Sequence, residues 1–334
     1  MTLETLWFCL IAVLWAGYFV LEGFDFGVGM LLPVVGRDEA DRDTMLRTIG
    51  PVWDGNEVWL VVATGATFAA FPAWYATMFS ALYLALLLIL VCLILRVVSF
   101  EWRERSATPR ARRAWQWANT VGSIGAPFLW GVALANLLHG LPLNGDGVFT
   151  GTFLDLFSGY TVLAGLAAVA LFALHGATFL TLRTDGDLRA RAEVAARRLS
   201  IPAAIVVAGF LGWTVAVAVD RNERGVVGPL VPALLGGAVL VLCLVAVRRG
   251  RSGRAFALTG AAAVLMIATL FTGLYPRVLV SDPDFAASLT VSGAAAEHYA
   301  LTVITVVAAV LLPVVLLYQG WTYHVFRARL AGGG

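Results

Sequence analysis

An all-α membrane protein of nine transmembrane helices, N-terminus outside and C-terminus cytoplasmic, is the fold class this sequence predicts. Three observations carry that prediction. Of 334 residues, 60% are hydrophobic and 13% charged, where an ordinary soluble domain carries about 25% charged residues. The apolar residues fall in runs of about 20, the length that crosses a bilayer, separated by short charged segments. The basic residues, finally, sort onto alternate loops.

The runs place spans at residues 6–35, 52–71, 75–98, 117–138, 154–182, 199–219, 229–247, 255–274 and 298–319. The first carries Glu4 in its leader and no basic residue before Arg37, so it reads as a retained helix and not as a cleaved signal peptide. The second opens on Pro51 and the acids Asp54 and Glu57, and follows the first after a charged loop. The third starts close behind it and ends at Arg96. Residues 99–116, with two tryptophans, read as a short surface helix, and 136–153 and 275–297 as outer loops capping helix ends. The later spans place acids only at their ends (Asp155, Asp220, Glu297). Residues 1–334 leave no room for a soluble domain, so a single integral membrane domain is expected.

Orientation comes from arginine, because the chain has no lysine and all 23 basic residues are arginines. Three follow the first span, six end and follow the third, five follow the fifth, four follow the seventh and two lie in the tail. Only Arg221, Arg224 and Arg277 fall on the other side. Twenty against three obeys the positive-inside rule, and one missed span would scramble it. The same rule, with anionic headgroups, accounts for Arg110, Arg112 and Arg113, so no nucleic-acid partner is expected. Cys9, Cys92 and Cys243 all fall in spans without paired spacing, which supports neither a metal site nor a disulfide framework.

The informative residues are the charges inside the spans, since these are expensive in lipid and usually functional. Glu22 and Asp25 lie at i and i+3 on one face of the first helix. Asp54 and Glu57 repeat the spacing at the start of the second. The two helices run in opposite directions, so all four carboxylates fall in the same half of the membrane as Arg96. A helix N-terminus by itself favours acids, which is an alternative account of Asp54 or Glu57. Arg96 has two readings, a salt bridge or a side chain snorkelling to the headgroups. Neither alternative reaches Glu22 and Asp25. With Gly23, Gly27 and Gly29 allowing close helix approach, these acids read as proton-pathway candidates. The second half holds no counterpart, which counts against a two-fold transporter architecture, though a proton-coupled secondary transporter is the alternative function. Of four histidines only His175 falls within a span. It is expected to be hydrogen-bonded in the bundle, leaving any redox cofactor to a partner.

Several segments also carry a resemblance. GFDFGVGM (23–30), GPVWDGNEVWL (50–60), the Arg96, Phe100, Glu101 and Arg103 set, GVALANLLHGLP (131–142), HGATFLTLRTDGDL (175–188) and LYQGWTY (317–323) together resemble subunit II of cytochrome bd-type quinol oxidases. The likeness runs in order along nearly the whole chain. It implies a bacterial plasma-membrane heterodimer in which subunit I holds haem b, haem d and the quinol site. That complex reduces dioxygen to water with cytoplasmic protons. Subunit II would supply part of the proton route and a surface for lipid or quinone, and a small accessory membrane subunit is a further expected partner. On this resemblance Asp25 and Asp54 match acids of proton entry or subunit contact, and Trp53 matches the tryptophan beside the second acid. Asn56 and Arg96 would support the site, and Glu57 stands where some members carry Gln. The last outer loop keeps Tyr275 and Pro276 but continues with Val280, Ser281 and Asp282, so no role carries over to it.

Overall fold

A computed structural model of the chain describes residues 2–222, 225–326 and 328–330. Arg224 and Arg327, two of the arginines counted above, lie outside the described residues. The chain is a helical bundle built from α1 (Leu3–Val35), α2 (Glu39–Ile49), α3 (Trp53–Ala70), α4 (Pro72–Ala81), α5 (Tyr83–Arg105) and α6 (Pro109–His139). It continues through α7 (Gly159–Arg183), α8 (Gly186–Arg221), α9 (Val227–Arg248), α10 (Ser252–Leu274), α11 (Val291–Ala294) and α12 (His298–Val325). Among the described residues eight of these are long and apolar enough to cross a membrane. The predicted second span, α3, is not one of them. Asp54, Asn56 and Glu57 dilute the apolarity of an 18-residue helix.

α1 is the hub, packed against α3, α6, α7 and α10. Its glycines set the spacing. A Cβ on Gly27 would meet the Phe172 carbonyl oxygen at 2.0 Å, and one on Gly176 would meet the Gly27 carbonyl carbon at 2.3 Å. The backbones of α1 and α7 therefore touch. Gly29 serves α6 in the same way, where an added Cβ would lie 2.1 Å from Ser123 Oγ. The aromatic core sits alongside, with Trp15 packed edge-on against Trp130 at 4.8 Å and Phe19 against Phe172 at 5.3 Å.

The ends of the helices depart from the sequence reading. The segment after the first span contains the helix α2, capped by Asp38, whose side chain accepts from the Asp41 amide at 2.8 Å. Met45 and Ile49, one turn apart, bury its inner face. Arg103 of α5 grips α2 through Glu39 and Asp43, and Arg191 of α8 grips it through Asp41. No separate surface helix covers 99–116: α5 runs on to Arg105, and Thr108 and Pro109 start α6 after a turn. Pro at the first helical position is preorganised for that start. Trp102 and Trp115 stack across the turn with centroids 6.3 Å apart.

The third span is interrupted. Phe71, before Pro72, leaves helical geometry, as the residue preceding proline tends to, and Leu82 separates α4 from α5. Helical bonding nonetheless passes through Leu82, which donates to Met78 and accepts from Leu86 at 2.9 Å each. The fifth span starts at Gly159 and not at 154, because Phe153–Leu156 form a single 3-10 turn. The Thr152 amide and hydroxyl bond Asp155 there and hold its carboxyl below the usual range. α6 and α8 extend past their predicted limits towards the arginine-rich end.

At the opposite end a two-stranded antiparallel ribbon, β1 (Arg277–Leu279) and β2 (Leu289–Thr290), closes the bundle. Arg221 pairs with Asp282 there. α12 stands apart from this compactness, with Leu301 its only buried residue.

A buried carboxylate and arginine cluster as candidate functional site

The site begins in the middle of α1. Glu22 and Asp25, one turn apart, each have 0% exposure, as does Arg96 of α5. The sequence reading left Arg96 between a salt bridge and a snorkelling side chain. The structure shows the salt bridge, with Arg96 Nη1 donating to Glu22 Oε1. The guanidinium also lies over the Phe26 ring, 4.6 Å from its centroid, with Phe100 at 5.8 Å. Its position along α5 is pinned from α6. Asn119 Nδ2 donates to Ser99 Oγ at 2.9 Å and to the Arg96 carbonyl at 3.3 Å.

Asp25 faces α3. Asn56 Nδ2 donates to Asp25 Oδ2 at 2.8 Å, and Asn56 is itself fully buried. The Asn56 carbonyl oxygen accepts from Tyr323 Oη at 2.6 Å and from Gln319 Nε2 at 3.4 Å. Gln319 Oε1 in turn accepts from Trp59 Nε1 at 2.8 Å. One polar chain thus runs from α1 through α3 to α12. Neither Tyr323 nor Gln319 was singled out as a site residue from the sequence. The available signal was an uncharged polar side chain inside an apolar run, which also needs a partner in lipid.

The acids at the start of α3 divide by helical phase. Glu57 is half-buried and interacts electrostatically with Arg96. Asp54 is exposed on the outer face of α3 and does not join the buried group. Trp53, also half-buried, lies 5.6 Å from the Phe100 ring and so continues the aromatic cover over Arg96. The structure therefore brings together Glu22, Asp25, Asn56 and Arg96, sets Glu57 and Trp53 at their margin, and leaves Asp54 facing outward.

This group has hydrogen-bonding capacity to spare. Glu22 Oε2, Asp25 Oδ1 and the Nε and Nη2 atoms of Arg96 are buried without a protein partner among the described residues. So is the hydroxyl of Tyr18, one turn from Glu22 on α1. Polar sites of this kind are the ones that buried water serves. Carboxylates linked by water can pass a proton from one to the next, whereas Arg96 fixes the local charge.

His175 behaves differently. Its Nε2 faces the Val20 carbonyl at 3.1 Å and must carry the proton, and its Nδ1 meets Thr259 Oγ1 at 2.6 Å. The ring stacks on Phe256 at 4.5 Å. It is held within the bundle by α1 and α10, as its sequence context suggested.

Comparison with known proteins agrees with this architecture. Residues 3–326 match the family model for cytochrome bd terminal oxidase subunit II. Cytochrome bd ubiquinol oxidase subunit 2 of Bacillus subtilis is 39% identical over 331 residues, covering 99% of this chain and 97% of that protein. Cytochrome bd-I ubiquinol oxidase subunit 2 of Escherichia coli is 36% identical over 364 residues, covering 98% and 95%. A chain of the bd oxidase from Geobacillus thermodenitrificans superposes with a TM-score of 0.77 at 18% identity, covering 98% of this chain and 99% of that one, a likeness of fold alone. The chain belongs to the cytochrome bd terminal oxidase subunit II family.

Proposed function

We infer that this chain supplies protons from the cytoplasm to a haem-bearing subunit I that oxidises quinol and reduces dioxygen to water. As a bd oxidase subunit II it is one part of a multi-pass membrane oxidoreductase complex, and the catalytic centre lies in the partner. The observation that carries the proton role is the fully buried Glu22, Asp25, Asn56 and Arg96 group, bordered by Glu57, with Asp54 facing outward on the same helix as Asn56. Buried intramembrane acids with spare hydrogen-bonding atoms are the equipment of a proton relay. Entry runs from the arginine-rich side, which the positive-inside rule makes cytoplasmic, with the N-terminus outside and α3 added to the other eight spans to make nine. Residues 1–334 then form one membrane domain in a bacterial plasma membrane.

The surroundings of His175 decide whether it can ligate haem. Both ring nitrogens are engaged and the ring is stacked on Phe256, so it does not fit, and haem b and haem d are assigned to subunit I. Asp54, a charge exposed on a helix within the membrane, is expected to meet subunit I and not lipid. The exposed apolar surface of α12 suits the same partner, a small accessory subunit, lipid or quinone.

The test is Asp25→Asn in the complex purified with subunit I. Quinol-driven oxygen consumption is expected to fall at least ten-fold while the reduced-minus-oxidised haem spectrum is retained. Wild-type turnover would remove Asp25 from the route. Loss of the haem bands together with turnover would make the chain a scaffold for subunit I.

A further inference from the structure

At the arginine-rich end, the last turn of α1 and the first turns of α8 enclose a groove of about 550 Å³. Val34, Val194 and Leu199 contribute apolar side chains to its lining, and Arg37, Arg191 and Arg198 contribute guanidinium groups. Val34 is 71% and Val194 46% exposed. Apolar side chains this open sit where both helices pass from apolar to charged sequence, between Val35 at the end of α1 and Arg37 just beyond it, and at Arg198 and Leu199 on α8. The groove therefore lies at headgroup depth. No carboxylate is among its lining residues.

The three arginines are not equivalent. Arg191 is built into the fold, its Nε donating to the Val35 carbonyl at 2.9 Å and its Nη2 to Asp41. The side chains of Arg37 and Arg198 are exposed and have no hydrogen-bond or ion-pair partner among the described residues. A second basic cavity, on the other flank of α1, is lined by Arg42, Arg112 and Arg113 but includes Glu39, which pairs with Arg42. Each flank of α1 thus keeps two arginines without an ion pair among the described residues, but only the groove between α1 and α8 has no carboxylate in its lining.

We propose that the groove between α1 and α8 binds an anionic diacyl phospholipid, its phosphate between Arg37 and Arg198 and its acyl chain over Val34, Val194 and Leu199. Two guanidinium groups suit a phosphate, because each offers paired donors in a fixed fork. Basic pockets between membrane helices select anionic headgroups in this manner. A zwitterionic lipid would bring its ammonium into the same positive field. A free phosphate would leave the apolar lining uncovered. The volume accommodates the headgroup and the beginning of a tail, with the remainder in the bilayer.

The test uses the whole complex with subunit I, stripped of lipid in detergent and offered equal phosphatidylglycerol and phosphatidylcholine, with adducts read by native mass spectrometry. Wild type is expected to retain phosphatidylglycerol at least ten-fold over phosphatidylcholine, with excess inorganic phosphate failing to displace it. Arg37→Gln with Arg198→Gln is expected to abolish the preference, whereas Arg113→Gln in the other cavity leaves it. Val34→Trp, which crowds the apolar lining without touching a charge, is expected to abolish it too. Equal retention of the two lipids, a preference that survives the double substitution, or displacement by inorganic phosphate would overturn the site. Oxygen reduction is not the readout, so the outcome does not depend on whether the acid cluster conducts protons.

Discussion

Glu22 and Arg96 form an ion pair in which neither side chain exposes any surface. Removing one member of a buried pair typically costs about 3–5 kcal/mol, because the other charge is left alone, whereas replacing both with apolar groups is often near neutral. Arg96→Met is therefore expected to lower the stability of the purified complex by about 3 kcal/mol or more. Adding Glu22→Leu should restore most of the loss. Thermal unfolding of the single and double variants checks this, and purely additive losses would show that the two charges do not depend on each other.

The contact between α1 and α7 predicts a sharp difference among glycines. An added Cβ at Gly176 would press on the Gly27 backbone, whereas Gly209 on α8 has nothing within 4 Å. Overpacking costs about 1–3 kcal/mol, occasionally more, and backbone cannot yield as a side chain can. Gly176→Ala is expected to reduce the yield of assembled complex and its melting temperature. Gly209→Ala should leave both unchanged or slightly raised, since Ala is the better helix former.

α12 is fastened to the bundle largely by side-chain hydrogen bonds: Trp7 to Thr305 at 2.9 Å, Trp59 to Gln319 at 2.8 Å and Tyr323 to Asn56 at 2.6 Å. One such bond contributes about 1 kcal/mol. Tyr323→Phe should loosen the end of α12 by that amount. Faster deuterium uptake there, with α1 unchanged, is the expected result in hydrogen-exchange mass spectrometry. Unchanged uptake would show that the hydroxyl holds nothing.

Asp54 is exposed in the isolated chain, so Asp54→Asn is expected to change the chain's own stability by no more than about 0.5 kcal/mol. Turnover should nonetheless fall several-fold, with the haem spectrum kept, if this carboxylate passes protons inward or meets subunit I. Oxygen consumption by that variant separates the outer acid from the buried one, because wild-type turnover would leave Asp25 as the relay and Asp54 without a part in it.

The helices were legible because hydrophobic length is a local property and arginine placement a global check on it. What escaped lay beyond the apolar stretches. α2 and the extensions of α6 and α8 are charged helices, and hydropathy is silent about those; only the Asp38 cap and the Met45 and Ile49 pair announce α2. In the site, Glu22, Asp25 and Arg96 stood out because ionised groups are conspicuous in apolar runs. Asp54 was grouped with them by depth. Depth does not fix rotation about a helix axis, and it is Asn56, two residues on, that faces Asp25. Tyr323 is 267 residues from Asn56, and no pattern at that range links a neutral hydroxyl to an amide.

The Glu22 and Arg96 pair also imposes an order on synthesis. The two residues are 74 positions apart, so a growing chain delivers α1 to the membrane well before α5 exists. For that interval the first helix carries two carboxyl groups with no basic partner, in a medium where such groups are expensive. Protonation, water or the insertion machinery lowers that cost until Arg96 arrives. The inner half of α1 thus gains its charged partner only once α5 has entered the membrane.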